Sequence, residues 1–466
     1  MALLNTLARR NRIQQQVICP HCWHEFPPEE ILWIAAHVDL KTDRKLRKGD
    51  FSEALRFLPS RFDVMGNAID AKGFSCDSLA CPNCHLGIHR GLLEIDPIFC
   101  SIIGTPSCGK SYYLATLIHK MRQNAFSDHF LQFSDLDPSA NHFLIELEEK
   151  LFLTRETGKE FLLNDLIKKT DDKLAGIASM YDQVRFGDQE VYFTRPFQFQ
   201  LTLRQHAAVK SLRNTISRVL CLYDNAGEHY LARSENDNVS NQVTRHLSKS
   251  KFLFFLFDPS QDKRFWDWAM KEWNKKANSP AEEQQIEDIA SMPQRYRQDT
   301  VLQEAASRVR KQLGLGQQQK HKRHLIVIIT KADLWAQHLG IDMANEPTLP
   351  PRAVKVGEEV IAQFKGLDHA RVKATSQKLK EHLRSLCPDL LLAAENFCEE
   401  VTYIPVSAFG NRPTVAQREK DGVTRNIAAI KVSDIKPQWV TIPLIYALHL
   451  YAPQLMLKTR SKGSSS

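Results

Sequence analysis

The chain has 466 residues, of which 43% are hydrophobic and 25% are charged, and its net charge is +8 from 62 basic and 54 acidic residues. This length predicts one large domain with insertions, or two to three domains, and the composition is typical of a soluble globular protein. The mild positive excess is compatible with anionic partners but does not by itself indicate them.

Two features of the sequence argue against a membrane-spanning or secreted protein. The longest apolar run, around residues 252–257, is too short to cross a bilayer, and residues 1–12 lack the apolar centre of a signal peptide. The 10 cysteines include two C-x-x-C pairs, which favour metal binding in a reducing compartment over disulfides. We therefore expect a cytoplasmic protein, with a disordered tail at residues 458–466.

Two C-P-x-C segments, at residues 19–22 and 81–84, form the first motif. Each such turn directs two thiolates at one point, and four thiolates suit a tetrahedral Zn²⁺ site with no open position for catalysis. We predict a structural zinc ribbon with a long insertion over residues 1–95, and we leave open whether it contacts protein or nucleic acid. The predicted ligands are Cys19, Cys22, Cys81 and Cys84, ranked above Cys76, His24, His85 and His89.

The second motif is G-x-x-x-x-G-K-S, between an apolar run at residues 98–103 and a segment with helical periodicity at residues 112–120. Its glycines allow backbone N–H groups to converge on phosphates, and the helix N-terminus adds a positive dipole end. We expect Lys110 to contact the β- and γ-phosphates and Ser111 to bind Mg²⁺. The predicted nucleotide-binding set here is Gly104, Thr105, Pro106, Ser107, Cys108, Gly109, Lys110, Ser111 and Tyr112.

The middle of the chain is predicted to contain an insertion near residues 124–190 that is polar and largely helical, with helical periodicity at residues 144–153 and 161–167. Strands are predicted at residues 191–194 and 197–203, and a strand at residues 219–224 is the expected hairpin partner of the latter. Asp224 ends this strand and is the expected magnesium-side acid, while the backbone N–H of Gly227 is expected to approach the γ-phosphate.

The last third of the chain carries residues suited to guanine. A buried strand at residues 252–257 precedes a helical, charged insertion near residues 259–322, whose aromatic stripe is predicted to be core or a docking face. An apolar run then ends in T-K-x-D. The Asp333 carboxylate can accept from two guanine N–H groups, and an unpaired buried carboxylate rejects adenine. Thr330 and Lys331 complete this loop, and a final strand ends at Ser407 and Ala408, where a backbone N–H could meet the guanine carbonyl.

These motifs, in this order, resemble a P-loop GTPase of the Ras-like, translation-factor-related class over about residues 96–457. The resemblance implies an α/β GTPase domain, a mostly parallel central sheet flanked by helices, with GTP or GDP and Mg²⁺ as ligands. The layout of the chain, with a zinc ribbon directly ahead of the phosphate loop and a closing helix at residues 438–446, also resembles that of the bacterial double-GTPase proteins. That narrower resemblance implies a protein partner, such as a second GTPase or an effector, in an anti-phage or conflict system.

The sequence departs from the GTPase pattern at the places that matter for turnover. Thr330 replaces the usual Asn, and Glu228 follows Gly227 where many relatives have a water-orienting Gln. Glu228 or the adjacent His229 is the candidate to orient water, unless a partner supplies an arginine. Thr194 is the candidate first-switch threonine.

Two alternatives to a hydrolysing switch remain open. One is a nucleotide-binding regulatory or scaffold subunit with little intrinsic hydrolysis. The other is a nucleic-acid-stimulated ATPase that uses the zinc ribbon, which T-K-x-D and the Asn at position 225, where such ATPases have Glu, disfavour. The oligomeric state is left open.

Overall fold

The structure is a computed structural model that describes residues 13–48, 51–125, 129, 131–154, 158, 160–162, 181–203, 217–224, 244–275, 296–356, 359–420 and 423–456. A seven-stranded sheet forms its centre, in the spatial order β2-β3-β4-β1-β5-β6-β7. The strands are β1 (Pro97–Gly104), β2 (Leu131–Asp135), β3 (Phe197–Leu203), β4 (Arg218–Asp224), β5 (Phe252–Phe257), β6 (His324–Ile329) and β7 (Val401–Pro405).

The sheet is mostly parallel, which confirms the predicted α/β class. Strands β4, β1, β5, β6 and β7 pair in parallel, whereas β3 runs antiparallel to both of its neighbours, β2 and β4. The antiparallel pairing of residues 197–203 with residues 219–224 was predicted from their spacing. All residues of β5 and β6 are buried, as expected for continuous apolar strands that are covered on both faces.

Helices cover the sheet, and their buried faces form one hydrophobic core with it. They are α1 (Lys110–Lys120), α2 (His142–Phe152), α3 (Lys263–Asn274), α4 (Gln298–Leu313), α5 (His369–Leu386), α6 (Pro388–Phe397) and α7 (Ile442–Tyr451). The aromatic stripe of α3 is core, because Phe265, Trp266 and Trp273 are buried. Single helical turns lie at His246–Lys249 and Ala332–Trp335.

The N-terminal part consists of short strands around the paired cysteines. A four-stranded sheet contains Leu32–Ile34, Arg56–Phe57, Leu79–Ala80 and Gly87–Ile88, and two-stranded pairs are formed by Val17–Ile18 with Glu25–Phe26, Arg47–Lys48 with Phe51–Ser52, and Ala68–Ile69 with Ser75–Cys76. Its hydrophobic cluster continues into β1 and β4 through Phe99 and Tyr223. The N-terminal part therefore shares its core with one face of the large sheet.

The prediction of a largely helical insertion at residues 124–190 is wrong in part. It holds for α2, but the region also contains the edge strand β2 and the strand Tyr181–Phe186, which pairs with Gln189–Thr194. Alternating burial along β2 is the period-two pattern of a strand. The helix predicted from residue 161 is also wrong there, because Glu160–Leu162 pairs as a strand with Val423–Lys431. Residues 163–180 lie outside the described ranges.

Two further hairpins extend the fold at places where no strand was predicted. Arg352–Val356 pairs with Glu359–Phe364, and Thr414–Lys420 pairs with Val423–Lys431. Across the described residues, no helix has both the length and the apolar character needed to span a membrane. The predicted domain boundaries at residues 95 and 457 stay predictions, and the tail at residues 458–466 lies outside the described residues.

Candidate functional site

The phosphate-loop motif forms the turn between β1 and α1, as its sequence predicts. Gly104 ends β1, where a Cβ would lie 2.7 Å from Cys108 Sγ and 3.1 Å from the Leu256 carbonyl oxygen. The N-cap residue of α1 is Gly109, and no side chain caps this helix end. The first N–H groups of α1 are therefore left for another acceptor, the arrangement in which helix N-termini bind phosphate.

Two polar side chains hold the phosphate loop in shape. Lys110 Nζ donates to the carbonyl oxygens of Gly104 at 3.1 Å and Thr105 at 3.0 Å. Gln261, which follows β5, accepts from Thr105 Oγ1 at 2.6 Å and donates to the Pro106 carbonyl oxygen at 2.9 Å. Gln261 was not predicted from the sequence. The feature that could have identified Gln261 is its place just after β5, a buried strand that neighbours β1.

Asp224 lies at the carboxyl end of β4, directly beside the phosphate-loop strand. It pairs with Ile102 of β1 in the parallel register, and it is buried. Its Oδ1 atom has no hydrogen-bond partner among the described residues. Burial raises the pKa of Asp224 to about 6, while the nearby Lys110 ammonium opposes part of that rise. A buried carboxylate oxygen without a partner fits a cation ligand at this position.

We expect Asp224→Asn to stabilise the nucleotide-free protein by up to about 3 kcal/mol at pH 7.5. Folded Asp224 keeps its proton up to a pH of about 6, whereas an unfolded aspartate releases it near pH 4. Wild-type stability therefore falls as the pH rises through this window, and the advantage of the variant should shrink to about half at pH 5. Urea unfolding at both pH values measures this. The exposed Asp188→Asn is the control, and a destabilised Asp224→Asn would contradict the expectation.

The T-K-x-D segment follows β6 at the same edge of the sheet. The Thr330 hydroxyl lies 3.2 Å from the Phe257 carbonyl oxygen and 3.4 Å from that of Cys108, so it ties this loop to both β5 and the phosphate loop. Lys331 Nζ lies 2.6 Å from Asp258 Oδ2 and 2.8 Å from Ser260 Oγ. Asp258 directly follows β5, is fully buried and was not predicted as a site residue, whereas Asp224 is the last residue of β4.

The two predicted guanine-contacting segments meet in the structure. The Ser407 hydroxyl donates to Asp333 Oδ1, and the Gly410 N–H donates to Ser407 Oγ at 2.8 Å. Burial raises the pKa of Asp333, and the hydrogen bond from Ser407 opposes that rise. The backbone of Ser407 pairs with Gln438 in both directions, at 3.1 and 2.9 Å. The chain before α7 therefore holds the Ser407 loop in place.

Gly410 is required by close packing in this loop. Its φ is +72°, and a Cβ there would lie 1.6 Å from the Lys436 carbonyl oxygen. We expect Gly410→Ala to lower the free energy of unfolding by at least about 2 kcal/mol more than Gly187→Ala. Gly187 has φ +61° with no atom within 4 Å of the added Cβ, so it controls for backbone strain alone. Urea unfolding compares the two variants, and equal losses would contradict the packing argument.

The structure describes some of the remaining predicted site residues but not others. Thr194 is buried and lies three residues before β3, and Tyr112 packs its ring edge-on against Phe409 with centroids 5.2 Å apart. Ala408 follows Ser407 in the described loop. The predicted Gly227, Glu228 and His229 lie outside the described residues.

The four paired cysteines form one compact, buried cluster. Their Sγ atoms all lie within 4.8 Å of one another, with Cys19 to Cys84 and Cys22 to Cys81 both at 3.7 Å. A tetrahedron with Zn–S bonds of about 2.3 Å has edges of about 3.8 Å, so the sulfur positions fit Zn²⁺. The backbone N–H groups of His21 and Asn83 each point at a sulfur at 3.4 Å. This is the only such group of metal-binding side chains within the described ranges.

The lower-ranked ligand candidates are engaged elsewhere. His85 Nδ1 lies 2.7 Å from Asp43 Oδ2, and His89 Nδ1 accepts from the Gly91 N–H at 3.0 Å. The ring of His24 stacks on Phe26, and Cys76 Sγ lies 3.5 Å from the Phe74 carbonyl oxygen. Of these candidate ligands, only the four paired cysteines form a group that could hold a metal ion within the described residues.

Comparisons with known proteins give the following. No family model matches the sequence, and no curated protein matches it either. The Ski7 GTPase-like domain of S. cerevisiae bound to GTP is similar at 15% identity, covering 81% of this chain and 54% of that one, with a TM-score of 0.25. The same domain bound to GDP and inorganic phosphate matches at 14% identity, covering 68% and 44%, with a TM-score of 0.23.

A third structure, an oligomerised bacterial dynamin pair that senses and tethers membranes, is 14% identical and covers 68% of this chain and 40% of that one, with a TM-score of 0.19. The chain thus matches about half or less of each of these structures. At these TM-scores the similarities carry no argument about function, which has to rest on the residues of the site.

Proposed function

We propose that this chain is a Mg²⁺-dependent protein that binds and hydrolyses GTP and works as a switch. The observation that carries the proposal is the convergence of separate motifs at the carboxyl ends of neighbouring strands. The phosphate loop follows β1, Asp224 ends β4, the T-K-x-D loop follows β6 and the Ser407 loop follows β7. Ligands of α/β proteins bind at this edge of the sheet.

In this proposal each side chain has one role. Lys110 and the N–H groups at the start of α1 would bind the β- and γ-phosphates, and Ser111 and Asp224 would hold Mg²⁺. The metal, when bound, neutralises charge that develops on the phosphates. Asp333 would accept from guanine, with Ser407 fixing the orientation of its carboxylate. Lys331, held by Asp258 and Ser260, would lie along the base.

The roles proposed for residues in GTP hydrolysis are argued from the sequence alone. Gly227 would contact the γ-phosphate through its N–H, Glu228 or His229 would orient the attacking water, and Thr194 would close over the metal. The four cysteines would hold a structural Zn²⁺, since four thiolates leave no open coordination position. We also propose a protein partner, a second GTPase or an effector in a bacterial defence system, supported by the sequence layout only.

Binding of fluorescent GDP, GTP and ATP in the presence of Mg²⁺ tests nucleotide choice directly. We expect guanine nucleotides to bind and ATP to be rejected, because adenine does not offer the two N–H donors from which the Asp333 carboxylate would accept. Equal or tighter ATP binding would overturn the proposal in favour of an ATPase, and stimulation by RNA or DNA would strengthen that alternative.

Phosphate release by the pure protein tests the enzymatic part separately. Multiple turnover of GTP supports a hydrolysing switch whose rate is set by product release or by a partner. Tight GTP binding with no release over hours would identify the chain as a nucleotide-binding regulatory subunit instead. Light scattering with GDP and with a non-hydrolysable GTP analogue would show whether the nucleotide state changes the oligomeric state.

A further inference from the structure

The cysteine knuckle at residues 19–22 contacts the strand that carries Asp224. The Tyr223 hydroxyl donates to the Pro20 carbonyl oxygen at 2.6 Å, and Trp23 Nε1 donates to the Tyr223 hydroxyl oxygen at 3.1 Å. Trp23 and Tyr223 are buried, and their rings pack with centroids 5.8 Å apart. Tyr223 directly precedes Asp224, so the knuckle holds the residue next to the predicted magnesium ligand.

The same knuckle also contacts the segment that leads into β3. His21 Nδ1 lies 3.6 Å from Asp182 Oδ2, and Asp182 Oδ1 binds the Arg195 guanidinium at 2.5 Å. Trp23 packs edge-on against Phe193, with ring centroids 6.4 Å apart. Phe193 and Arg195 flank Thr194. The knuckle therefore reaches both sequence neighbours of the candidate switch threonine, Phe193 through Trp23 and Arg195 through His21 and Asp182.

These two contacted segments lie at the same edge of the sheet. Strand β3 is antiparallel to β4, and its first residue, Phe197, lies opposite Leu222. Thr194 precedes the start of β3 and Asp224 ends β4, so both residues lie at the edge of the sheet where β1 leads into the phosphate loop, with β4 between β3 and β1. Cys19 and Cys22 belong to the four-cysteine cluster, so a metal ion bound there would fix the backbone path of the knuckle.

We propose that the zinc knuckle is a control element for the nucleotide site. Zinc holds residues 20–23 in the conformation that clamps Tyr223 and the Asp182–Arg195 pair, and these in turn fix the ends of β4 and the Thr194 segment. Tyr223 is the main positioning residue of this connection. The inference rests on the proposed function, since it requires that Asp224 and Thr194 serve a bound Mg²⁺ and nucleotide.

Coupling between two sites is reciprocal, so nucleotide should protect the metal as much as the metal assists nucleotide. The first experiment loads the full chain with Zn²⁺ and follows its release to a chromophoric chelator, with and without Mg²⁺ and GTP. We expect release to slow by about fivefold or more when Mg²⁺ and GTP are bound, and ATP should have no effect. Equal release rates with and without bound GTP would overturn the coupling while leaving GTP binding intact.

The second experiment tests the connection through Tyr223 in the zinc-loaded protein. Tyr223→Phe removes the hydroxyl that pairs with Pro20 and Trp23, and we expect about five- to tenfold weaker binding of Mg²⁺ and GTP, with faster zinc release. Tyr403→Phe is the matched control, because this tyrosine is buried on β7 and its hydroxyl has no partner among the described residues.

The outcomes separate the two proposals. If Tyr223→Phe has the wild-type affinity for Mg²⁺ and GTP and the wild-type rate of zinc release, the positioning role is overturned. Equal losses in Tyr223→Phe and Tyr403→Phe would show a general packing effect and also overturn it. Failure of the wild-type protein to bind GTP at all would overturn the proposed function, and this inference with it.

Discussion

Asp333→Asn is expected to weaken GTP binding at least about 100-fold and to let xanthine nucleotides bind in its place. The carboxylate accepts from two guanine N–H groups, whereas the asparagine amide presents a donor to one of them and leaves it unpaired. Xanthine carries a carbonyl where guanine has its amine, so it complements the amide. Competition of GTP and XTP against fluorescent GDP measures the exchange of preference.

The variant is expected to stay folded, because the Asp333 pKa is already raised by burial and an uncharged amide relieves that burial cost. The Ser407 hydroxyl can still donate to the amide oxygen. Asp267→Asn, an exposed substitution on α3, controls for the loss of one negative charge. An Asp333→Asn variant that binds GTP as tightly as Asp267→Asn would exclude Asp333 from base recognition.

The central strands and the order of the motifs were predictable because each is a local pattern. Short continuous apolar runs such as β5 and β6 are typical of strands that are covered on both faces, and the glycine-spaced phosphate loop marks the end of β1. The four-cysteine cluster followed from two identical turns, each of which aims a pair of thiolates. In these cases residues close in the sequence determine the geometry.

The missed features depend on pairings between distant residues. Lys331 reaches Asp258, and Tyr223 reaches Pro20 across most of the N-terminal half of the chain, with no local pattern to announce either contact. The short segment at residues 160–162 has apolar spacing that suits a helix, but pairing with residues 429–431 makes it a strand. Tertiary pairing overrides local propensity most easily in segments this short.

The contact between the cysteine knuckle and β4 is another pairing between residues far apart in the sequence. A sequence pattern can identify the cysteine pairs and the phosphate loop as separate motifs, but the hydrophobic cluster that joins the cysteines to β1 and β4 exists only in the folded chain. Because Trp23 and Tyr223 lie in this cluster, the coupling proposed above would run through packed, buried side chains rather than through a flexible linker.

Lys110→Met is expected to reduce affinity for GTP and GDP by about 100- to 10,000-fold, the loss that follows when charge-assisted hydrogen bonds to two phosphates disappear. The Lys110 ammonium donates hydrogen bonds to the Gly104 and Thr105 carbonyl oxygens, so it already lies inside the loop that a phosphate would enter. Methionine keeps most of the side-chain volume and the helical propensity of the first residue of α1. Equilibrium binding of fluorescent GDP, backed by calorimetry with GTP, measures the loss.

Lys120→Met is the matched control, because Lys120 lies at the opposite end of the same helix, away from the phosphate loop. It removes the same charge and introduces the same side chain, so an electrostatic effect of net charge alone would appear in both variants. A modest loss common to both variants would be such a net-charge effect and would contradict a direct contact between the Lys110 ammonium and the phosphates. A large loss confined to Lys110→Met would assign its ammonium to the phosphates, because Gln261 holds the loop through Thr105 Oγ1 and the Pro106 carbonyl oxygen, which Lys110 does not contact.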